Sequence, residues 1–513
     1  MNFLEQGGST MRVLPDQRVL FGYRDEESDD ETAMIYSLSL FTPSLDPIWS
    51  VRHPLSARCV VLGMTLETGE VKMLTVQYLE DTDSMRLLRT RFSGSDGSFL
   101  ACDTLDRAWG VFPDENSMGK GMATYSLLYS PDSATIAVVQ GGYRVGRIER
   151  LSRVLMLDPK FNIVEQGEIG SLSSVSSSVM NVLANGNTVA TPGIVLDNGG
   201  GIYQAAVESD KNLNISYYPA HGAGPVHETY QLDVSAFKPL LDEDDSPMLA
   251  HPMLTLTGDG LVVTALVIAK ATTGWSFSLE LSNSPAQQRT YGLVSIAFPR
   301  STMRPSVRVL HPFDKQFCGR LMNDMDEEEL NDMQLSTVVP RPDGSVVVAL
   351  EHAFTETKIN TPSKGTGRIP LARRYTRTCV IDRFAVVHYS ADGKVQWTGS
   401  IDDDDYGRQA ENVLPSVLLA CENVRSGETI DFLGGYENAL RTISFDAVRD
   451  TIIVGRDVAY NDSKLPVMRR NVVWSGPSKM FVVGTALRNS QYTLNMIETT
   501  DGTPLFRAVK SGD

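Results

Sequence analysis

One pattern recurs along the chain and restricts its fold more than any other feature. Two short segments rich in β-branched and aromatic residues are joined by a polar turn, most clearly in VPRPDGSVVVALEHAF (Val339 to Phe354) and TCVIDRFAVVHYSADGKVQWTGSI (Thr378 to Ile401). Asp-Gly pairs beside such segments favour tight turns between antiparallel strands. The pattern therefore predicts a chain built from locally connected antiparallel strands.

The number and spacing of these units limit the architecture. The pattern appears seven or eight times, at intervals of roughly 45 to 80 residues, for example in Cys59 to Asp81 with Thr68-Gly69 at the turn. A single β-sandwich has too few strands, and tandem sandwiches should show Pro/Gly/Ser-rich linkers at intervals of roughly 100 residues, which the sequence lacks. Radial repetition protects the edges of short sheets and lets one domain exceed the usual core size. We therefore predict an all-β fold, a β-propeller of about seven blades (six to eight as the range), each a four-stranded antiparallel sheet.

The predicted organisation is one domain with loop insertions. Residues 1–513 form the single β-propeller domain, and a long hairpin excursion interrupts it at about residues 354–379. Helix-forming patterns are few, and the best of them, DEEELNDMQ (Asp326 to Gln334), predicts a surface helix of one or two turns.

The charge balance excludes some partners. A net charge of −17 repels nucleic acid and anionic membranes over most approach directions. The acidic residues cluster in segments predicted to be solvated loops, and Asp402 to Asp405, at a strand end, is the best candidate among them for calcium. No apolar run is long enough to predict a membrane span.

No residue pattern predicts a catalytic site, a metal site or a cofactor. The five cysteines form no CxxC pair, so we expect buried free thiols. The histidines of HGAGPVH, His221 and His227, lie six residues apart in a Gly/Pro segment, and this spacing favours a surface loop over a metal site. His388 shares a predicted strand face with Phe384 and Val386, so we expect it to lie between blades.

Two further features are interpreted as structural. The glycines of DNGGG (Asp197 to Gly201) are predicted to supply positive φ angles at a turn. Trp49 and Trp397 occupy matching positions in two units, DPIW and KVQW, which favours packing between blades over sugar binding. Trp275 and Trp474 are the candidates for stacking on a glycan.

The hairpin excursion is the one strongly basic segment of this acidic chain. Arginine pairs bidentately with carboxylates and is enriched at interfaces, so the excursion is predicted to contact a partner protein. The alternatives are a mobile loop whose charge keeps the protein soluble, and self-association against the acidic loops of a second copy. The predicted contact residues are Lys358, Lys364, Arg368, Arg373, Arg374 and Arg377.

Several phrases, in order, resemble a group of large uncharacterised β-propeller-like proteins common in Bacteroidetes. These phrases are YSPDSATIAVV with VLMLDPKFNIVEQGEI, LTGDGLVVTAL with YGLVSIAF, and RPDGSVVVALEHAF with FAVVHYSADGKVQWTGSI. The resemblance covers Leu127 to Ile401 and extends more loosely to Ile453. It implies a β-propeller fold and a periplasmic or cell-surface location, but no catalytic residues. The N-terminus MNFLEQGGSTMRVLP lacks the basic and apolar regions of a secretory signal, which leaves two alternatives: a cytoplasmic protein, or an exported protein whose leader is not in this sequence.

These observations together predict a non-enzymatic scaffold or an accessory subunit of a multi-subunit complex, which binds another protein. The alternative is a propeller hydrolase or a carbohydrate-binding protein with its site at the mouth of the central channel. That alternative rests on what propellers can host, and no motif in the sequence carries it.

Overall fold

The computed structural model consists almost entirely of β-strands arranged in four-stranded sheets. Each sheet follows chain order from its first to its fourth strand, so that neighbouring strands are joined by local turns. Eight such sheets, called blades 1 to 8 below, lie in the part of the chain that the structure describes. The described residues are 9–25, 33–110, 121–144, 149–169, 193–208, 211–220, 224–241, 246–269, 289–322, 330–360, 374–401, 408–411, 421–424, 429–436, 439–459, 472–475, 479–485, 492–500 and 503–510.

The first four blades contain sixteen strands. Blade 1 contains β1 (Ser9–Val13), β2 (Val19–Asp25), β3 (Ala33–Phe41) and β4 (Pro47–Ser56). Blade 2 contains β5 (Cys59–Glu67), β6 (Glu70–Leu79), β7 (Ser84–Ser93) and β8 (Phe99–Trp109). Blade 3 contains β9 (Gly121–Tyr129), β10 (Ile136–Arg144), β11 (Glu149–Leu157) and β12 (Ile163–Glu168). Blade 4 contains β13 (Ile194–Leu196), β14 (Ile202–Glu208), β15 (Asn212–Tyr218) and β16 (Val226–Gln231).

Two of the other four blades carry an additional short strand. Blade 5 contains β17 (Pro247–Thr257), β18 (Gly260–Ala269), β19 (Arg289–Pro299), β20 (Ser306–Pro312) and the added β21 (Leu330–Asn331), with helix α1 (Lys315–Met322) between β20 and β21. Blade 6 contains β22 (Met333–Pro340), β23 (Val346–Asn360), β24 (Arg374–Tyr389), β25 (Val395–Ile401) and the added β26 (Arg408–Glu411). Blade 7 contains β27 (Cys421–Val424), β28 (Thr429–Tyr436), β29 (Ala439–Asp446) and β30 (Thr451–Ala459). Blade 8 contains β31 (Val472–Trp474), β32 (Lys479–Thr485), β33 (Tyr492–Thr500) and β34 (Thr503–Lys510).

Short polar sequences fix the turns. The Ser130 hydroxyl donates to Asp132 Oδ1 at 2.6 Å, and the same oxygen accepts the amide of Ala134 at 3.0 Å. Such bonds hold the backbone in a turn that apolar side chains cannot stabilise. The turn at Thr68-Gly69 has φ angles of 52° and 77°, as a two-residue hairpin turn requires. These turns confirm the local connections predicted from the sequence.

Apolar side chains from facing sheets form the core. In the interface between blades 2 and 3, Leu74 and Val76 of β6 belong to the same buried cluster as Leu127 and Val138 of blade 3. Blade 8 packs on blade 1 in the same way, although the two are the last and the first in the chain. Burial of such faces at roughly 25 cal/mol per Å² supplies most of the stabilisation of a sheet protein.

The chain divides into two compact units. The first comprises Met1–Glu208, Asn214–Thr229 and Val473–Asp513, which include blades 1 to 4 for the most part and blade 8. The second comprises Ser209–Leu213 and Tyr230–Val472, which include blades 5 to 7.

The β-propeller class with four-stranded antiparallel blades is confirmed, and the eight sheets reach the upper end of the predicted range. The single domain over residues 1–513 stays a prediction.

The helix predicted for Asp326 to Gln334 is wrong where the structure describes it. Residues from Leu330 onward form β21 and the start of β22, because Leu330 and Met333 are buried in the core of blades 5 and 6. The α-helix of the described residues lies earlier, at α1 (Lys315–Met322), where Phe317 and Leu321 belong to that same core. Among the described residues, no helix has the length and apolar character needed to cross a membrane.

Candidate functional site

Blade 6 carries a two-stranded extension, which we call the arm: residues 353–360 of β23 and 374–381 of β24. The pairing of β23 with β22 ends at His352, and the pairing of β24 with β25 ends at Phe384. Beyond these positions β23 and β24 continue to pair with each other as far as Asn360 and Arg374. Eight residues at about 3.3 Å each give the arm a length of about 26 Å.

Polar contacts hold the base of the arm. The pairing register between β23 and β24 shifts after His352, which pairs with Arg383, to Ala353, which pairs with Ile381. Asp382 is therefore the extra residue of a β-bulge. The carboxylate of Asp382 lies 2.7 Å from His352 Nδ1, and the guanidinium of the neighbouring Arg383 donates to the carbonyl oxygen of Met322 at the end of α1. A bulge bends and twists the strand that contains it, and these contacts fix the bend at the point where the arm leaves the sheet.

A short strand supports one side of the arm. The strand β26 pairs with residues 378–381 of β24, so that three strands are present over the lower half of the arm. No described strand other than β24 pairs with β23 beyond His352. The upper half therefore consists of two strands within the described part of the chain.

The structure describes the backbone of three of the six predicted contact residues. Lys358 pairs with Thr376 in the register of the arm, Arg374 pairs with Asn360, and Arg377 pairs with Thr357. The three residues thus lie within about four positions of one another along the two strands. Lys364, Arg368 and Arg373 lie outside the described residues.

Two of the other predicted sites resolve into local structure. In the DNGGG segment, Asp197 Oδ1 accepts the amides of Gly199 and Gly201, each at 2.8 Å, and Gly200 has a φ of 83°. This geometry confirms a turn. The Nδ1 of His227 lies 2.8 Å from the Ser216 hydroxyl on the neighbouring strand. His221, Trp275 and Asp402 to Asp405 lie outside the described residues, and Trp474 is described only in its backbone.

The two matched tryptophans pack between blades, as predicted. Trp49 is 8% exposed in the core of blades 1 and 2, and its Nε1 donates to the carbonyl oxygen of Gly94 at 3.0 Å. Trp397 stacks on Phe445 of blade 7, with 5.2 Å between ring centroids. Sequence matching therefore identified a repeated packing role correctly.

His388 also lies between blades, as predicted. Its Nδ1 lies 2.7 Å from Asp450 Oδ1, at the turn between β29 and β30 of blade 7, and its ring approaches Phe445. The Nε2 atom is buried with no hydrogen-bond partner among the described residues.

The thiols are free where the structure describes them. Cys59 and Cys318 are buried, as predicted, and burial raises the pKa of Cys59 to about 12. Cys102 is exposed, which the prediction of buried thiols missed. It lies on β8, the fourth and outermost strand of blade 2. An edge strand covers its neighbour on one side only, so its side chains are less buried.

Two polar groups inside blade interfaces were not anticipated from the sequence. Asp106 of blade 2 accepts hydrogen bonds from Tyr125 and Arg153 of blade 3. In the interface between blades 5 and 6, His311 Nδ1 lies 3.0 Å from the Tyr389 hydroxyl, and burial lowers the pKa of His311 to about 4. Each pair joins residues far apart in the chain, so sequence spacing gave no sign of them.

Comparison with known proteins gives similarity to solved structures only. No protein-family model matches the chain, and no curated protein matches its sequence. The chain is similar to the β-propeller domain of the trilobed protease from Pyrococcus furiosus, with 8% identity, a TM-score of 0.37 and coverage of 97% of this chain and 95% of that one. It is also similar to prolyl oligopeptidase B from Galerina marginata, with 10% identity, a TM-score of 0.36 and coverage of 96% of this chain. Puromycin hydrolase matches at 12% identity and a TM-score of 0.32, over 88% of this chain.

The chain spans 56% of the length of the prolyl oligopeptidase and 54% of that of the puromycin hydrolase. At these identities and TM-scores the similarities carry no inference about activity. The resemblance to the Bacteroidetes group stays a prediction.

Proposed function

We propose that this protein binds another protein through the arm of blade 6, as a scaffold or accessory subunit of a larger assembly. The observation that carries the proposal is the length of β23 and β24, which continue to pair with each other for eight residues past the end of their pairing with β22 and β25. At its base, Ala353 and Ile381 belong to the buried core shared with blade 7, and beyond them the two strands continue as far as Asn360 and Arg374.

The base of the arm supports a role in recognition. The contact between His352 and Asp382 and the bond from Arg383 to α1 restrict the angle at which the arm leaves the blade. An arm that is ordered before binding loses less conformational entropy when a partner docks. The geometry therefore favours a preorganised contact surface.

Charge supports an acidic partner surface. The arm and its connection carry Lys358, Lys364, Arg368, Arg373, Arg374 and Arg377, whereas the whole chain has a net charge of −17. Complementary charge raises the rate of encounter and disfavours partners of like charge, and arginine forms paired hydrogen bonds with carboxylates. Binding should accordingly weaken as the salt concentration rises.

The double variant Arg374→Ala/Arg377→Ala tests the proposal. We expect the wild-type protein to retain a defined partner during purification from native cells, and the variant to bind that purified partner at least about tenfold more weakly. The matched control is Lys394→Ala/Arg449→Ala, which removes two exposed cations from turns of blades 6 and 7. Equal affinity of the arm variant and the control would contradict the proposal.

The second candidate function is a propeller hydrolase or a carbohydrate-binding protein with a site at the mouth of the central channel. Peptidase and esterase substrates and a glycan array test it directly. Turnover or glycan binding that persists in the arm variant would favour this function over the scaffold.

A further inference from the structure

The two edges of the arm differ in how much of their length is covered by other strands. Strand β26 pairs with residues 378–381 of β24, which leaves residues 374–377 of that edge uncovered within the described chain. On the side of β23, the last described bond is the one from the Ala353 amide to the Asp332 carbonyl oxygen, at 3.0 Å. Residues 354–360, called the open edge below, have no described neighbour on that side. The open edge is therefore the longer of the two uncovered edges.

The bond at Ala353 sets the direction of the backbone groups along the open edge. Successive residues of a strand direct their N–H and C=O groups to opposite sides. The bulge lies on β24, so β23 keeps this alternation from Ala353 to Asn360. Because Ala353 donates away from β24, Thr355, Thr357 and Ile359 also direct their amides and carbonyls away from β24. Each of these three residues thus presents one donor and one acceptor to the uncovered side.

The open edge lacks most of the features that prevent strand pairing. Exposed edges are ordinarily kept short, bent by bulges or interrupted by proline. The segment FTETKIN contains neither proline nor glycine, and its pairing with β24 is regular to Asn360. Its threonines and isoleucine are β-branched residues, which favour extended backbone. The remaining protection is charge, which repels a strand of like sign and attracts one of opposite sign.

Charge determines which kind of strand can occupy the open edge. Lys358 lies in the open edge itself, and Arg374 and Arg377 lie on the paired strand β24. Glu356 is the single carboxylate residue of the arm. Two arms placed edge to edge would bring these cations together, so charge disfavours the arm of a second copy as the occupant. A segment that carries aspartate or glutamate would be attracted.

We propose that the partner adds an extended acidic segment to the open edge as a further β-strand. The upper arm then has three strands, and the backbone groups of Thr355, Thr357 and Ile359 bond to the added segment. In strand addition, main-chain hydrogen bonds supply affinity and side chains supply selectivity. The inference rests on the function proposed above, and it assigns binding to the backbone of β23 in addition to the cationic residues.

Thr357→Pro tests the role of the backbone. Proline has no N–H and its ring obstructs the edge, yet the Thr357 amide does not bond to β24, so the arm should keep its own pairing. Thr357→Val is the matched control, because it keeps the amide and the β-branched shape. The probe is a displayed library of peptides about eight residues long, the length of the arm, with aspartate or glutamate at alternate positions. A second library has lysine at those positions.

We expect the wild-type protein to select peptides from the acidic library and not from the lysine library. The selected peptides should bind Thr357→Pro at least about tenfold more weakly and Thr357→Val as tightly as the wild type. Peptide binding should also slow amide hydrogen exchange in the open edge. Thr357→Pro should melt at the wild-type temperature; should it not, Ile359→Pro, nearer the tip of the arm, replaces it.

The arginine variant Arg374→Ala/Arg377→Ala separates this inference from the proposed function. Peptides that bind it weakly but bind the proline variant as tightly as the wild type would overturn strand addition and leave binding through the arm in place. Peptides that bind both variants like the wild type would contradict both proposals. Failure to select from the acidic library, or equal selection from the lysine library, would overturn the inference. So would a wild-type dimer that Thr357→Pro dissociates, because the open edge would then belong to a second copy.

Discussion

The interface between blades 2 and 3 has two polar places that differ in how their charges are satisfied. At one, Asp106 accepts from both the Tyr125 hydroxyl and the Arg153 guanidinium, so the charge of the carboxylate is paired inside the protein. At the other, four residues further along β7, Lys72 lies opposite Arg91 and forms no hydrogen bond or ion pair with a described residue.

The difference shows what kind of role a buried polar group has. The buried Tyr125 keeps its proton, because burial and the neighbouring Asp106 carboxylate raise its pKa, and its hydroxyl then acts as a fixed donor. A completed group of this kind orients two sheets against each other. Lys72 forms no hydrogen bond or ion pair with a described residue, so it adds no such contact between the two sheets.

Removal of the Asp106 carboxylate, the acceptor that Tyr125 and Arg153 share, should lower the free energy of unfolding most. Asp106→Ala leaves the buried Tyr125 hydroxyl and the partly buried Arg153 without their partner, and we expect a loss of about 3 kcal/mol in the free energy of unfolding. Denaturant titration measures it, and Tyr125→Phe, which removes one donor only, should cost about 1 kcal/mol. An Asp106→Ala protein as stable as the Tyr125→Phe protein would contradict the view that Asp106 completes the cluster.

His311 is a third polar group inside a blade interface, and its partner, the Tyr389 hydroxyl, is neutral. Its pKa of about 4 in the folded protein lies below the usual 6.5, so the unfolded chain takes up the proton first as the pH falls. The stability contributed by neutral His311 is therefore complete above pH 6.5 and is lost as the pH falls toward 4. We expect a decrease of about 2 kcal/mol between pH 7 and pH 5, and a smaller decrease in His311→Gln.

Denaturant titrations at both pH values measure this difference. An identical pH dependence in the two proteins would show that His311 does not carry the effect.

Lys72→Met should change the free energy of unfolding least, and in the opposite direction. The substitution removes a charge that has no partner among the described residues and keeps an apolar stem, so the free energy of unfolding should stay equal or rise by about 1 kcal/mol. The lowered pKa of Lys72 also means that the wild type gains stability as the pH rises through that pKa toward 10.5, whereas the variant does not. A substantial loss of stability in the variant would show that Lys72, like Asp106, has a stabilising partner inside the protein.

Local features of the fold were predictable because their causes are local. The Thr68-Gly69 turn and the inward face of His388 follow from turn chemistry and from alternation along a strand, which involve a few adjacent residues. The partner of His388, Asp450, was not predictable, because the fold brings together residues 62 positions apart. Length, charge and the Asp-Gly turns marked the arm, but the bulge at Asp382 and its contact with His352 had no visible signature.

The position of Lys72 did have a signal that sequence inspection missed. In EVKMLTVQYL, alternation places Lys72 on the same face as Leu74 and Val76, which is a charged residue in an apolar series. The prediction of a helix at Leu330 was wrong because it relied on the run of acidic helix-forming residues and gave too little weight to the spacing of the apolar residues. Tertiary burial of Leu330 decided the outcome.

The packing of blade 8 on blade 1 has a consequence for how the protein forms in the cell. Phe21 and Phe41 of blade 1 share their buried cluster with Phe481 and Val483 of blade 8. A ribosome delivers blade 1 before blade 8, so this face of the nascent chain stays uncovered until blade 8 has been synthesised. Chaperones that shield apolar surface during synthesis, and premature termination upstream of Lys479, should accordingly have a strong influence on the yield of soluble protein.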